Sequence, residues 1–223
     1  INEGVIEEWP ARYVKFDGSK IIERMDWRND EPRYVGSPAM NSLAKVLSSR
    51  LHIQLNTRIM SLAKEGKWVL KDSEDTSYEG FDWVISTAPS PQTTALFPQE
   101  FRYFKEVKNI EMRACFSLML GFSDGFDLDF DAAHIMNADI SWLAFNSNKP
   151  CRPNTASLIV HSSEDYAENN LERDLLQIQQ HLCSETSRVI SNDLSNAQFK
   201  AVHRWRYANN TERKTFPVLL DVE

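Results

Sequence analysis

Up to residue 98 the pattern of apolar and polar positions changes period several times. Arg12-Tyr13-Val14-Lys15-Phe16 and Lys20-Ile21-Ile22-Glu23 flank Asp17-Gly18, a strong tight-turn signal, and predict an antiparallel hairpin. Ser37 followed by Pro38 supplies an N-cap and a first-turn proline, after which Met40, Leu43, Ala44 and Leu47 recur on one face. A helix over 38–49 is predicted. Three strands follow, over 57–63, 67–71 and 76–78, separated by Glu65-Gly66 and an acidic stretch over 72–75, which reads as a β-meander. The run Trp83-Val84-Ile85 is continuously apolar, the mark of a return strand buried on both faces. It ends in Ser86-Thr87-Ala88-Pro89-Ser90-Pro91-Gln92, where Ser90-Pro91 caps a short helix into Leu96.

Beyond Pro98 the strands lengthen. Candidates lie over 114–122, 141–146, 157–161 and 199–205, interrupted by a helix over 170–187 with Leu171, Leu175, Ile178 and Leu182 on its buried side and Asn170 as its cap. Antiparallel strands joined by long connections and backed by helices predict an α+β fold.

Composition narrows the function classes. The 223 residues are 42% hydrophobic and carry a net charge of -7, with Lys and Arg dispersed, so the chain folds and lacks the footprint of a nucleic-acid binder. No apolar run approaches the roughly 20 residues of a membrane span, and the expectation is a cytoplasmic protein with no membrane or nucleic-acid partner. Cys115, Cys151 and Cys183 are too far apart for a disulfide framework or a metal site, and each reads as a small buried hydrophobe.

Candidate chemistry in the side chains is sparse. Asp124, Asp127, Asp129 and Asp131 invite a calcium reading but lack the order of a calcium loop, so a solvated loop is expected. His134, His161 and His181 show no metal-ligand spacing, and no Gly-x-Ser-x-Gly elbow is present, so no metal is assigned. His203, Trp205 and Tyr207 share one face of the last strand, where Trp205 and Tyr207 are candidates for an aromatic wall facing substrate, with core packing as the alternative. Arg204 and Arg206 fall on the opposite face, for a carboxylate, a phosphate or solvent.

The segment from Arg33 to Leu43, the strand Leu55-Asn56-Thr57-Arg58-Ile59 and the stretch from Phe81 to Gln92 resemble, in order, the flavin-containing amine oxidase superfamily, most of all its renalase-like bacterial branch. Leu158 to Glu164 and Val202 to Ala208 extend the likeness over most of the chain. The resemblance implies a two-domain FAD oxidoreductase in which an antiparallel sheet roofs the flavin. It assigns 36–97 to the remainder of a Rossmann-like FAD domain and 1–35 with 98–223 to the substrate domain. Cofactor contacts are implied at Val35, Gly36, Pro38, Met40, Arg58, Ile59, Thr87, Ala88 and Pro89.

The family pattern also has a Gly-x-Gly-x-x-Gly turn, whose amides grip the pyrophosphate, and a Gly-Asp segment after the Trp-Arg-Tyr motif. The seven glycines here never stand two residues apart. The sequence therefore reads as part of a longer FAD enzyme, with no flavin expected on this chain by itself. Ala39 stands where the family usually has Gly, and Pro150-Cys151-Arg152 replaces Pro-Gly-Arg. Amine oxidases proper commonly place a lysine on the substrate sheet, yet the matching strand, Met112 to Leu118, has none, so no catalytic acid or base is assigned. The implied reaction is hydride transfer to flavin from an amine or a dihydronicotinamide-like small molecule. The alternative is a non-catalytic binding module of the same fold, and a homo-oligomer is expected through surfaces that a missing part would cover.

Overall fold

The computed structural model describes residues 4–123, 126–211 and 218–221. In chain order the elements are β1 (Ile6–Glu8), β2 (Arg12–Asp17), β3 (Lys20–Asp26), β4 (Tyr34–Gly36), α1 (Ser42–Ser48), β5 (Ile59–Glu65), β6 (Lys67–Asp72), β7 (Ser77–Phe81), α2 (Ser90–Leu96), α3 (Phe104–Lys108), β8 (Met112–Gly121), β9 (Ala132–Met136), β10 (Ile140–Phe145), β11 (Ser157–Ser162), α4 (Glu164–Asn169), α5 (Leu175–Ile190) and β12 (Phe199–Asn210). The class is α+β, and no described helix is long and apolar enough to cross a membrane. Two compact units are present, 1–52 with 114–206 and 53–113 with 207–223.

The first unit is organised by a seven-stranded sheet in the order β12-β8-β11-β10-β9-β2-β3. The predicted hairpin forms as β2 and β3, with Gly18 at φ +57 in its turn, a conformation open to glycine at little cost. The sheet is not purely antiparallel as expected, because β2 pairs parallel with β9. Strand β9 escaped prediction. Period-2 alternation sends Val14, Phe116, Leu118, Leu143, Leu158 and Val160 to one face, where all are at most 1 to 2% exposed. Each such burial contributes roughly 1.5–3 kcal/mol.

Helix α5 covers that face with Ile178, Leu182 and Val189, at helical spacing and fully buried. The single helix predicted over 170–187 is in fact two. Ser163 caps α4 by accepting from Tyr166 N, Asn170 closes it by donating to Tyr166 O, and Asp174 starts α5 by accepting from Leu176 N at 2.9 Å and Gln177 N at 3.2 Å. Leu175, predicted buried, sits at this N-terminus and is 40% exposed.

The opposite face carries a second cluster with Trp9, Ala11, Trp27, Val35, Ala132 and Ala144. Strands β1 and β4 form a separate two-stranded pair, extended by hydrogen bonds from Trp9 N to Arg33 O and Ser37 N to Val5 O.

The second unit contains the predicted meander as the sheet β5-β6-β7, with Gly66 at φ +78 in its first turn. Asp72 shapes the second turn by accepting from Glu74 N at 2.8 Å, Thr76 N at 2.9 Å and Tyr78 Oη at 3.0 Å. Helix α2 packs against β5 and α3. The predicted return strand is absent: residues 83–85 form no strand, and Trp83 and Ile85 are 59% and 84% exposed. An apolar run becomes an inner strand only when neighbours pair with both its edges, and no described residue does so.

Helix α1 is likewise shorter than predicted. The chain turns through a cis Ser37-Pro38 bond before α1 begins at Ser42, and Met40 and Leu47 are 57% and 66% exposed rather than packed.

Candidate functional site

On the second face of the large sheet, register aligns Lys15, His134, Trp142, His161 and Ser117 side by side across β2, β9, β10, β11 and β8. The neighbouring row holds Tyr13, Ala132, Ala144, Ile159 and Met119. Across β3 the first row continues to Glu23, opposite Lys15, and the second to Met25. Tyr13 stacks on Trp27 with centroids 5.3 Å apart and lies 6.4 Å from Trp142, while Trp9 meets Trp27 edge-on at 5.6 Å. Trp9 and Trp27 are buried over Ala132 and Ala144, and the partly exposed Tyr13 and Trp142 form the margin of that cluster, with Lys15 and His161 half-buried along it.

One turn, residues 146–152, borders this surface and is fixed from two sides. Asp131 is buried beside it and accepts from Arg12 N at 2.7 Å, Arg12 Nε at 3.0 Å, Arg12 Nη2 at 2.9 Å and Asn148 Nδ2 at 2.7 Å. Burial works to raise the Asp131 carboxyl, but these donors, Arg12 first, hold it below the usual carboxylate range. The solvated-loop expectation is therefore wrong for Asp131, whose charge is fully engaged; Asp124 lies outside the described residues. On the other side, Arg152 donates through Nη2 to Gly36 O at 2.7 Å and through Nη1 to Pro38 O and Pro150 O. The loop before α1 is thereby fastened to the turn after β10. A Cβ at Gly36 would stand 2.6 Å from the carbonyl oxygens of Ala39 and Met40, so only glycine fits there.

Between these fixtures sits Lys149. Its Nζ lies 5.4 Å from the Trp9 ring centroid and 3.4 Å from Asn146 Oδ1. Desolvation pushes its ammonium below the usual lysine range, and Arg152 adds to this. Burial also lowers His161, with Lys149 contributing, so the imidazole is neutral at pH 7. Cys151 occupies the left-handed region at φ +55 and is exposed. This explains the glycine usual in the family pattern and corrects the expectation of a buried thiol. Cys115 and Cys183 are partly buried, and burial raises both thiols. Ala39 is not among the residues with positive φ, so a side chain is tolerated there.

The residues expected at a cofactor fall into separate groups. Val35 is buried within the Trp9–Trp27 cluster, Gly36 and Pro38 lend their carbonyls to Arg152, and Met40 is exposed beside them. In the second unit Arg58 precedes β5, Ile59 opens it, and Thr87, Ala88 and Pro89 lead into α2, which packs on that strand. Thr93 Oγ1 ties that turn by donating to Ala88 O at 3.0 Å. On β12, Val202 packs into the core and Arg204 lies over the Phe116 ring, which sends His203 and Trp205 to the face bearing His161. The His203 and Trp205 rings are 4.3 Å apart, Trp205 is 53% exposed, and Tyr207 follows two residues on, half-buried. Arg206 pairs with Glu172 at 2.7 Å.

Lys149, Arg152, His161 and Trp142 were not expected as site residues. Alternation in Ser157–Ser162, which separates Ile159 and His161 from Leu158 and Val160, carried the signal for one of them. Among the described residues no three His, Cys, Asp or Glu side chains are arranged to hold a metal. The Met40 loop in the first unit and the Thr87–Pro89 turn in the second each expose residues of the kind that the periphery of a dinucleotide flavin meets. The described residues include no glycine-rich amide turn for a pyrophosphate, so the fit is to part of such a group only.

Solved structures of similar fold include a protein from Exiguobacterium sp. 255-15 provisionally assigned as a protoporphyrinogen oxidase, 15% identical, with a TM-score of 0.65 over 80% of this chain and 41% of that one. Putrescine oxidase bound to putrescine is 12% identical, with a TM-score of 0.59 over 77% and 39%. Reduced UDP-galactopyranose mutase is 12% identical, with a TM-score of 0.58 over 76% and 40%. The chain thus spans about two-fifths of the length of the structures it matches. The family model for flavin-containing amine oxidoreductases matches residues 19–219. With that match across most of its length, the chain belongs to the flavin-containing amine oxidoreductase family.

Proposed function

We propose that the chain supplies the substrate-facing sheet and some of the cofactor contacts of a renalase-like, FAD-dependent oxidoreductase. The observation that carries this reading is the match to the flavin-containing family over residues 19–219. The aromatic and polar row on one face of the large sheet supports it, since a planar cofactor or substrate needs a flat, half-dry wall. Bound FAD would supply the redox chemistry by accepting hydride from an amine or a dihydronicotinamide-like donor, with dioxygen restoring the oxidised state. The protein orients the donor and excludes water. In this reading Val35, Gly36, Pro38 and Met40 shape one cofactor contact, with Arg152 as a positioning residue for that loop. Arg58 and Ile59 meet the adenine end of FAD, and Thr87, Ala88 and Pro89 form a further cofactor contact. Trp205 and Tyr207 face the donor.

The test is an absorbance spectrum of a full-length gene product that carries an N-terminal Gly-x-Gly-x-x-Gly. A yellow protein with flavin absorbance is expected. A colourless protein that takes up no added FAD overturns the reading.

A further inference from the structure

The Lys149 ammonium is half-buried beside the Trp9 ring, and among the described residues no carboxylate lies within ion-pair reach of it. Its polar contact within the turn is the long one to Asn146 Oδ1 at 3.4 Å. Asp131, the acid bonded to this turn, is consumed by Arg12 and Asn148, and Arg152 is consumed by backbone carbonyls. Taking a cation out of water without a counter-ion is costly, and desolvation already shifts this one toward neutrality. An anion arriving from outside would remove that cost. His161, neutral and on the row that also holds Trp142, offers a ring N–H nearby.

We propose that this face binds a planar substrate bearing a carboxylate, which pairs with Lys149 Nζ while the ring lies against the partly exposed Trp142 and His161 at the margin of the Trp9 cluster. An ammonium-bearing donor without a carboxylate is disfavoured here, because it meets the Lys149 cation with no charge to pair with it, and the acid of the register row, Glu23, stands opposite Lys15 on the edge strand β3. The inference deepens the oxidoreductase reading and rests on it for the identity of the ligand as substrate. Binding itself requires no flavin.

Benzoate and benzylamine, alike in shape and opposite in charge, are titrated against the full chain at pH 7 and read by quenching of tryptophan fluorescence. Saturable quenching by benzoate and none by benzylamine is expected. Lys149→Met weakens benzoate binding at least tenfold, and Lys149→Arg, which keeps the charge, stays within about threefold of the parent. Equal or tighter binding of benzylamine, an unchanged Lys149→Met, or no binding of either probe overturns the proposal, and the wild-type contrast stands without any variant. A colourless full-length protein that still takes benzoate through Lys149 overturns the oxidoreductase reading alone. A yellow one whose Lys149 face ignores benzoate overturns this inference alone.

Discussion

The unit built on the large sheet and the unit built on the meander contain strands of similar apolar strength, yet they differ sharply in what those strands bury. Among the described residues, the only buried apolar side chain of the stretch 53–113 is Val107, whereas the first unit contributes all the others. Conversely, Ile53, Leu55, Met60, Phe81, Trp83 and Ile85 stand exposed in the meander unit. A pattern of alternation specifies which face is apolar; only a partner layer turns that face into a core. The first unit carries its own layer in α5, and the second has two short helices for three strands.

The largest test of this contrast truncates one strand aromatic in each unit, fully buried in the first and half-buried in the second. Phe116→Ala removes a fully buried ring and costs about 3–5 kcal/mol, read from the urea midpoint, while Trp68→Ala on β6 costs about 1 kcal/mol or less. Equal losses would break the comparison. Next in size is Asp131→Asn, which leaves Arg12 without its carboxylate and costs about 2–3 kcal/mol. Its sign with pH follows from the lowered Asp131 carboxyl: the stabilisation is present above the unfolded value of about 3.8 and is lost as pH falls through the folded value. Acid titration of stability below pH 4 is therefore shallower in Asp131→Asn than in the parent. Cys151→Gly acts in the other direction. It relieves a side chain held at φ +55 and raises stability by about 0.5–1 kcal/mol, measurable by thermal melting. Smallest is Ile85→Ser, which changes stability by less than about 0.5 kcal/mol because the side chain is 84% exposed. A large loss there would show that residue 85 is packed after all.

These two units also mark what could be read from the sequence. The β2–β3 hairpin was legible because Asp17-Gly18 fixes its turn locally, and the meander because Gly66 and the Asp72 turn punctuate it. Strand β9 was not, since Ala132-Ala133-His134-Ile135-Met136 has weak alternation and pairs with a segment far away in sequence. Residues 83–85 misled for the complementary reason, an apolar run looking the same whether or not neighbours exist. The split between α4 and α5 was hidden because apolar residues continue across it, while the caps at Ser163 and Asp174 carried the missing boundary. At the site, the loop at 36–40 was placed by resemblance, but its tie to Arg152 joins residues 116 apart. Lys149 sits in a turn, where periodicity says nothing about burial.

The parallel pairing of β2 with β9 sets an order of events during synthesis. Arg12 and Asp131 are 119 residues apart, so at about 5–20 residues per second the hairpin emerges roughly 6–24 s before its partner strand. Throughout that interval the outer edge of β2 offers open backbone donors and acceptors to any passing strand. The charges of Arg12 and Lys15 on that strand work against such pairing while the edge is open.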